Sequence, residues 1–265
     1  MIMKKYLCLI FVLLLIMLSG CKKKDVVIIN KVINQEPNIE EEIIIKDFSD
    51  LVESKVEFVS QSVVGIKASS STAIFENNSY GSGVVIKQNK DNEYYIVTSR
   101  HVVCPKKTFL DNIEIYLGNL DLYISASLLS YSEQLDLALL KVETKIALKP
   151  ALIEQKELKI GMFVISIGSP YDLEKYYNSV NLGNISGLNR IQKETMLDGN
   201  VCQNIYFQHN ALINNGDSGG GVFDLNGNLI GINTWKLVNQ NSNIAGMSFA
   251  IEIKEVTSCF SSYLS

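Results

Sequence analysis

An all-β chain folded as two six-stranded antiparallel barrels behind one short helix is what this sequence predicts. Two observations carry that expectation. From Val63 onward the apolar residues fall in short runs rich in Val, Ile, Tyr and Phe, broken at close intervals by Gly, Asn, Asp and Ser. One earlier stretch, Asp47 to Ser60, instead spaces Phe48, Leu51, Val52, Val56 and Val59 as a helix would. At 265 residues the chain suits one large β domain or two small ones, and a hydrophobic content of 47% is enough for a sizeable core.

In chain order, residues 1–20 read as a targeting segment to be set aside from the fold. Lys4 and Lys5 precede an apolar run, Tyr6 to Leu18, that is too short to span a bilayer comfortably. Leu18-Ser19-Gly20-Cys21 resembles a bacterial lipobox, in which Cys21 becomes lipid-modified and is left as the new N-terminus. The alternative is an ordinary secretory leader in which Cys21 is incidental. Beside an anchor at Cys21, anionic headgroups would attract Lys22, Lys23 and Lys24 by about 1 kcal/mol each. Residues 21–46 read as a tether broken at Pro37, with room for a short strand at Val26 to Ile29 or Ile43 to Ile45. Residues 47–265 then form the folded domain.

Six runs make the first barrel: Val63 to Lys67, Gly83 to Lys87, Tyr94 to Thr98, Ile113 to Leu117, Tyr123 to Leu129 and Leu137 to Val142. Asn89-Lys90-Asp91-Asn92 supplies a hairpin turn between the second and third. Met162 to Ile167, Ser179 to Leu188, Tyr206 to His209, Gly221 to Asp224, Leu229 to Thr234 and Ser248 to Ile251 make the second barrel.

The chemistry concentrates in Gly216-Asp217-Ser218-Gly219-Gly220. Glycines let backbone N–H groups converge where side chains would block them. Two such groups beside an activated serine form an oxyanion hole, here the turn Gly216, Asp217 and Ser218. A serine needs a base to take its proton, and the chain has two histidines, His101 and His209. The turn also fits the G-x-S-x-G pattern of an α/β-hydrolase elbow. In that fold the histidine follows the serine; here none does. The order His101, Asp136, Ser218 survives. Ser218 would be the nucleophile, His101 the general base and then acid, and Asp136 the group that orients the imidazole and stabilises its cation. Asp136 lies among Leu135, Leu137, Ala138 and Leu139, so its carboxylate would be partly buried and in need of a partner. Asp111 and Asp121 are its rivals. His209 reads as a pocket-wall or surface residue, and Trp235 as a core or rim aromatic.

The chain resembles trypsin-like serine proteases of the HtrA branch of the chymotrypsin superfamily. The similarity lies in Gly81-Ser82-Gly83-Val84-Val85-Ile86, Thr98-Ser99-Arg100-His101-Val102-Val103, Leu135-Asp136-Leu137-Ala138-Leu139-Leu140, Ile165-Ser166-Ile167-Gly168-Ser169-Pro170, Gly183-Asn184-Ile185-Ser186-Gly187, the Ser218 turn and Met247-Ser248-Phe249-Ala250-Ile251, all in family order. Roughly residues 47–265 are covered. The resemblance implies a two-barrel chymotrypsin-type fold with the active site between the barrels, and a serine endopeptidase that cuts unfolded or exposed protein segments outside the cytoplasm. It implies Leu212 at the base of the specificity pocket, with Ser248, Phe249 and Ala250 on the substrate-side strand. An apolar Leu212 cannot pair with a substrate Lys or Arg, which points to small or medium aliphatic P1 residues. The turn departs from the family at Asn215, where proline is usual, at Asp217 for asparagine, and at Gly221 for proline, a change expected to loosen its strand. Asn215 allows the turn to switch between ordered and collapsed forms. A PDZ domain is not implied, since the sequence stops about 15 residues after Phe249. A homotrimer through the N-terminal region is a further expectation, although that segment diverges. The remaining alternatives are a catalytically silent surface binding protein and an esterase using the same triad.

The formal net charge is −4, with both signs mixed along the chain, which argues against a nucleic-acid partner. Beyond Cys8 and Cys21, the odd set Cys104, Cys202 and Cys259 defines no disulfide framework and reads as buried free thiols. No cysteine has metal-ligand spacing. Neither metal nor cofactor is expected.

Overall fold

The computed structural model describes residues 39–70, 78–105, 108–195, 199, 201–236 and 245–264. Cys21, the leader and the tether up to residue 38 lie outside the described residues. The chain divides into two units, Met1–Lys46 and Asp47–Ser265. Helix α1 spans Ile39–Ser60, so it begins within the segment expected to be a tether and takes in Ile43 to Ile45, where the sequence leaves room for a short strand. From Glu40 to Ser60 no Gly or Pro interrupts it.

The first barrel is built from β1 (Val63–Ser69), β2 (Asn78–Lys90), β3 (Glu93–Ser99), β4 (Asn112–Leu117), β5 (Leu122–Ser132) and β6 (Leu137–Glu143). It closes in the order β1-β2-β3-β6-β5-β4, and every neighbour is antiparallel. A single helical turn, α2 (Arg100–Val103), follows β3. The second barrel uses β8 (Phe163–Gly168), β9 (Ser179–Thr195), β10 (Val201–His209), β11 (Gly221–Asp224), β12 (Asn228–Lys236) and β13 (Ser248–Glu252). Pairing of β11 with β12 closes this sheet, and the two-residue β7 (Leu152–Ile153) adds to β12 in parallel. Helices α3 (Ile253–Cys259) and α4 (Ser261–Leu264), not expected from the sequence, complete the chain.

Burial on both faces explains the continuous apolar runs. In β6, Ala138, Leu140 and Val142 fill the first barrel. Leu137 and Leu139, on the opposite face, enter a second cluster with Ile165, Ile167, Tyr206, Ile232 and Phe249 of the second barrel. Val164, Ile185, Phe207, Val222 and Ile230 fill the second barrel. Val256 and Phe260 of the C-terminal segment pack on the bridging cluster, each buried side chain contributing roughly 1.5–3 kcal/mol. The barrels are therefore joined by a shared apolar layer.

A loop of the second barrel, residues 169–178, is pinned to the first. Leu173 is buried and lies against Gly65 and Tyr116. Tyr177 stacks edge-on against Tyr116, at 5.5 Å between ring centroids, and donates its hydroxyl to the Val63 carbonyl at 3.0 Å. Asn178 Nδ2 donates to the Ser60 carbonyl at 2.9 Å.

His209 is neither a pocket wall nor a surface residue; it is wholly buried inside the second barrel. Asn233 Nδ2 donates to Ser166 Oγ at 2.9 Å, which turns Asn233 Oδ1 toward His209 Nε2 at 3.1 Å. That arrangement assigns the Nε2–H tautomer to a neutral ring. Burial is the main cause that lowers its pKa to about 4, against the smaller opposing effect of Asn233. The three free cysteines are also less uniform than expected: Cys104 is buried, whereas Cys202 and Cys259 are half-buried.

Because the unfolded histidine accepts a proton near pH 6.5 and the folded one only near pH 4, this group's stabilising contribution is complete above pH 6.5 and is lost as pH falls through that window. The loss should approach about 2–3 kcal/mol by pH 4.5. Urea unfolding of wild type and His209→Gln at pH 7 and 4.5 measures it. The variant should show a shallower pH slope, and equal slopes would refute the assignment.

Candidate active site between the barrels

The site assembles from turns that the two barrels present to each other. Asp136 ends the turn after β5 in a left-handed conformation, φ 52°, which aspartate tolerates better than most residues. Its main-chain carbonyl accepts the Arg100 N–H at 2.8 Å, and its Oδ1 accepts the His101 N–H at 2.9 Å. These are N-terminal amides of α2 that have no acceptor within the turn of helix itself. Asp136 thus takes the place of a local cap and fixes where His101 begins. Its other oxygen, Oδ2, meets His101 Nδ1 at 2.5 Å, which leaves Nε2 as the ring nitrogen free to face a substrate group. Asp136 is 15% exposed at the side chain and His101 45%. Among the rival acids, Asp121 accepts the Tyr116 hydroxyl at 2.9 Å.

Ser218 lies in the turn between β10 and β11. His101 and Ser218 line one cleft of about 250 Å³ with Ile213, Asn214, Asn215, Thr234 and Trp235. In this structure the Ser218 hydroxyl donates to the Thr234 carbonyl at 2.9 Å. Thr234 also donates from Oγ1 to Asp136 Oδ2 at 3.3 Å, so one residue of β12 touches both the acid and the serine. Nothing in the sequence singled out Thr234, because its role depends on β12 passing beneath both turns.

The turn around Ser218 is held bond by bond. Gly216 has φ +102° and Gly219 φ +84°, conformations that side chains resist. The Asn215 carbonyl accepts the Tyr171 N–H at 2.8 Å. Across a trans peptide the Gly216 N–H must point the opposite way. Asp217 is buried, and its Oδ2 accepts the Asn214 N–H at 2.6 Å. Among the described residues neither the Gly216 nor the Ser218 N–H donates to a protein acceptor. Two adjacent unpaired donors beside a serine hydroxyl can receive a developing oxyanion.

Leu212, expected at the base of the pocket, is 48% exposed, and it is the neighbouring Ile213 that is buried in the cleft wall. Successive residues of an extended chain face opposite sides, so a shift of one position exchanges wall for surface. Ser248, Phe249 and Ala250 are buried behind the cleft rather than along it. Ser248 Oγ donates to the Ala211 carbonyl at 2.8 Å. Phe249 stacks under Trp235 at 4.1 Å and an interplanar angle of 12°. Trp235, further braced edge-on by Tyr206, is the aromatic wall of the cleft.

Comparison with known proteins accords with this geometry. The chain is 34% identical over 187 residues to the serine protease HTR4 of Rattus norvegicus, covering 70% of this chain and 34% of that protein. It is 33% identical over 192 residues to the serine protease Do-like HtrA of Lactobacillus helveticus, covering 71% and 44%. It is 34% identical over 172 residues to a probable periplasmic serine protease do/HhoA-like of Haemophilus influenzae, covering 64% and 34%. The chain therefore spans between a third and a half of the length of these curated relatives. Residues 81–232, more than half of the chain, match the family model of the trypsin-like peptidase domain. With the two-barrel fold in place and Asp136 bound to the His101 that shares a cleft with Ser218, the chain belongs to the trypsin-like peptidase family.

Proposed function

We propose that this protein is a serine endopeptidase acting outside the cytoplasm, with Ser218 as nucleophile, His101 as general base and acid, and Asp136 as the residue that orients the imidazole. The observation that carries the reading is the two-point grip of Asp136 on His101, through the main-chain N–H and Nδ1, in the cleft that also holds Ser218. Proton transfer requires the Ser218 hydroxyl to leave the Thr234 carbonyl and turn about its Cα–Cβ bond toward His101 Nε2, which lines the same cleft. Attack on a peptide carbonyl then gives an acyl-enzyme, with Gly216, Asp217 and Ser218 forming the turn that stabilises the oxyanion. His101 returns the proton to the leaving amine.

Substrates are protein segments able to enter the cleft in extended form. Ile213 and Trp235 support a preference for small or medium aliphatic P1 residues, with Leu212, Ser248, Phe249 and Ala250 shaping the same wall from its margin and from behind. No carboxylate lines the cleft among the described residues, so a substrate Lys or Arg has no partner there. One relative is named as a probable periplasmic serine protease, which supports a location outside the cytoplasm. We extend the reading to a lipid anchor at Cys21 after removal of residues 1–20, a tether through residue 46 and a protease domain over 47–265. We extend it also to a homotrimer, as the family resemblance implies. The competing reading is a silent surface protein, in which the Ser218–Thr234 bond persists.

The test is cleavage of casein by the purified protein beside Ser218→Ala and His101→Ala, with fluorophosphonate labelling of the same samples. Each substitution should lower kcat by at least about 10^4-fold, and the label should map to Ser218. Labelling without cleavage would indicate a latent enzyme; neither would favour the silent protein. In a peptide library, cleavage after Val, Ala, Ile or Leu is expected, and a preference for Lys or Arg would contradict the proposed pocket.

A further inference from the structure

The Gly81-Ser82-Gly83 segment of β2 contributes nothing to the proton transfers above, yet its serine touches the nucleophile turn twice and the 169–178 loop once. Ser82 is wholly buried. Its N–H donates to the Ser218 carbonyl at 2.9 Å. Its hydroxyl donates to the Gly216 carbonyl at 2.7 Å and accepts the Ser169 N–H at 2.8 Å. Thr98 Oγ1 of β3 donates to the Ser82 carbonyl at 2.6 Å, so the residue is itself held by the first barrel. Both residues whose amides face the oxyanion position therefore have their carbonyls bound by the same side chain and backbone of the opposite barrel.

We infer that Ser82 is the positioning residue of the oxyanion turn, an inference that rests on the protease reading for its effect on rate. The Gly216 carbonyl can point toward Ser82 only in one orientation of the Gly216–Asp217 peptide. The Asn215 carbonyl is independently held by Tyr171 in the orientation that frees the Gly216 N–H. Together these bonds fix Gly216 from both sides. The link to Ser169 adds the start of the loop that carries Tyr171, so one hydroxyl couples β2, the 169–178 loop and the nucleophile turn. Removing that hydroxyl leaves a part-buried carbonyl and a buried N–H unpaired, a penalty the turn can relieve by rotating a peptide. The backbone bond from Ser82 to Ser218 survives such a change, so the nucleophile should stay near its place while the Gly216 donor loses its alignment.

The test compares wild type, Ser82→Ala and Ser82→Cys. Ser82→Ala should lower kcat by roughly 10- to 100-fold, below the loss expected from removing an oxyanion donor outright, with KM within threefold. A peptide boronic acid, whose adduct places an oxygen in the oxyanion position, should lose affinity by a similar factor. Ser82→Cys keeps the shape and a weak donor, so it should fall between the two and guards against a folding defect in the alanine variant. Hydrogen exchange of residues 213–220, followed by mass spectrometry, should accelerate in Ser82→Ala while strands β3 and β6 stay protected. Unchanged kcat and boronate affinity, a rise in KM alone, or unchanged exchange in the turn would overturn the inference. A wild type that neither cleaves nor labels would sink the protease reading instead, and the exchange measurement would still decide the clamp.

Discussion

Where the two barrels meet, the main chain at Gly219 runs so close to β2 and β3 that a Cβ there would sit 2.1 Å from the Ser82 carbonyl oxygen and 2.4 Å from Thr98 Oγ1. That missing side chain is the constraint on which the site depends. It lets the Ser218 turn lie directly on the first barrel, with the Ser82 N–H on the Ser218 carbonyl and the Gly219 N–H on the Asn233 carbonyl at 2.8 Å. Any larger residue would push the serine away from the barrel that carries His101 and Asp136. The positive φ of Gly219 reinforces the same requirement.

Around that contact the protein buries many polar groups and pairs them across elements rather than within them. Asn233 illustrates this. Its N–H and C=O bond to Gly220 and Gly219, its carbonyl also accepts from Ser99 Oγ at 3.3 Å, and its side chain joins His209 to Ser166. A buried polar group left alone costs about 1–3 kcal/mol, so a network of this kind tolerates few alternative arrangements. The rigidity it confers suits the proposed role of the Ser218 turn, in which oxyanion donors are aimed before a substrate arrives.

Much of the fold was legible because strands buried on both faces leave long apolar runs, as in Ile96–Val97 and Leu137 to Val142. The parts that escaped were those held by partners distant in sequence. Strands β9 and β10 extend well past their apolar centres, through Arg190 to Lys193 and Cys202 to Asn204, because each pairs with the other rather than because either favours β structure. Helix α3 is seven residues long and stands on the burial of Ile253 and Val256 against the bridging cluster. Helix α1 ran past its expected start because the apolar spacing that signals a helix weakens where Ile43, Ile44 and Ile45 are contiguous.

In the site, the candidates His101, Asp136 and Ser218 and their order were legible in the sequence: a chain with two histidines, a glycine-rich turn around Ser218 and few acids set among apolar neighbours offers few combinations. The tertiary structure decided what lies between and behind them. Only the packed barrels show that Thr234 touches both Asp136 and Ser218, that Ile213 rather than Leu212 is buried in the cleft wall, that His209 is a neutral core residue, and that Ser82 grips the Ser218 turn. Motif spacing records which residues share a turn. The contacts that aim those residues join separate elements, some more than a hundred positions apart, as from Ser82 to Gly216, and are set by barrel closure and the shared apolar layer.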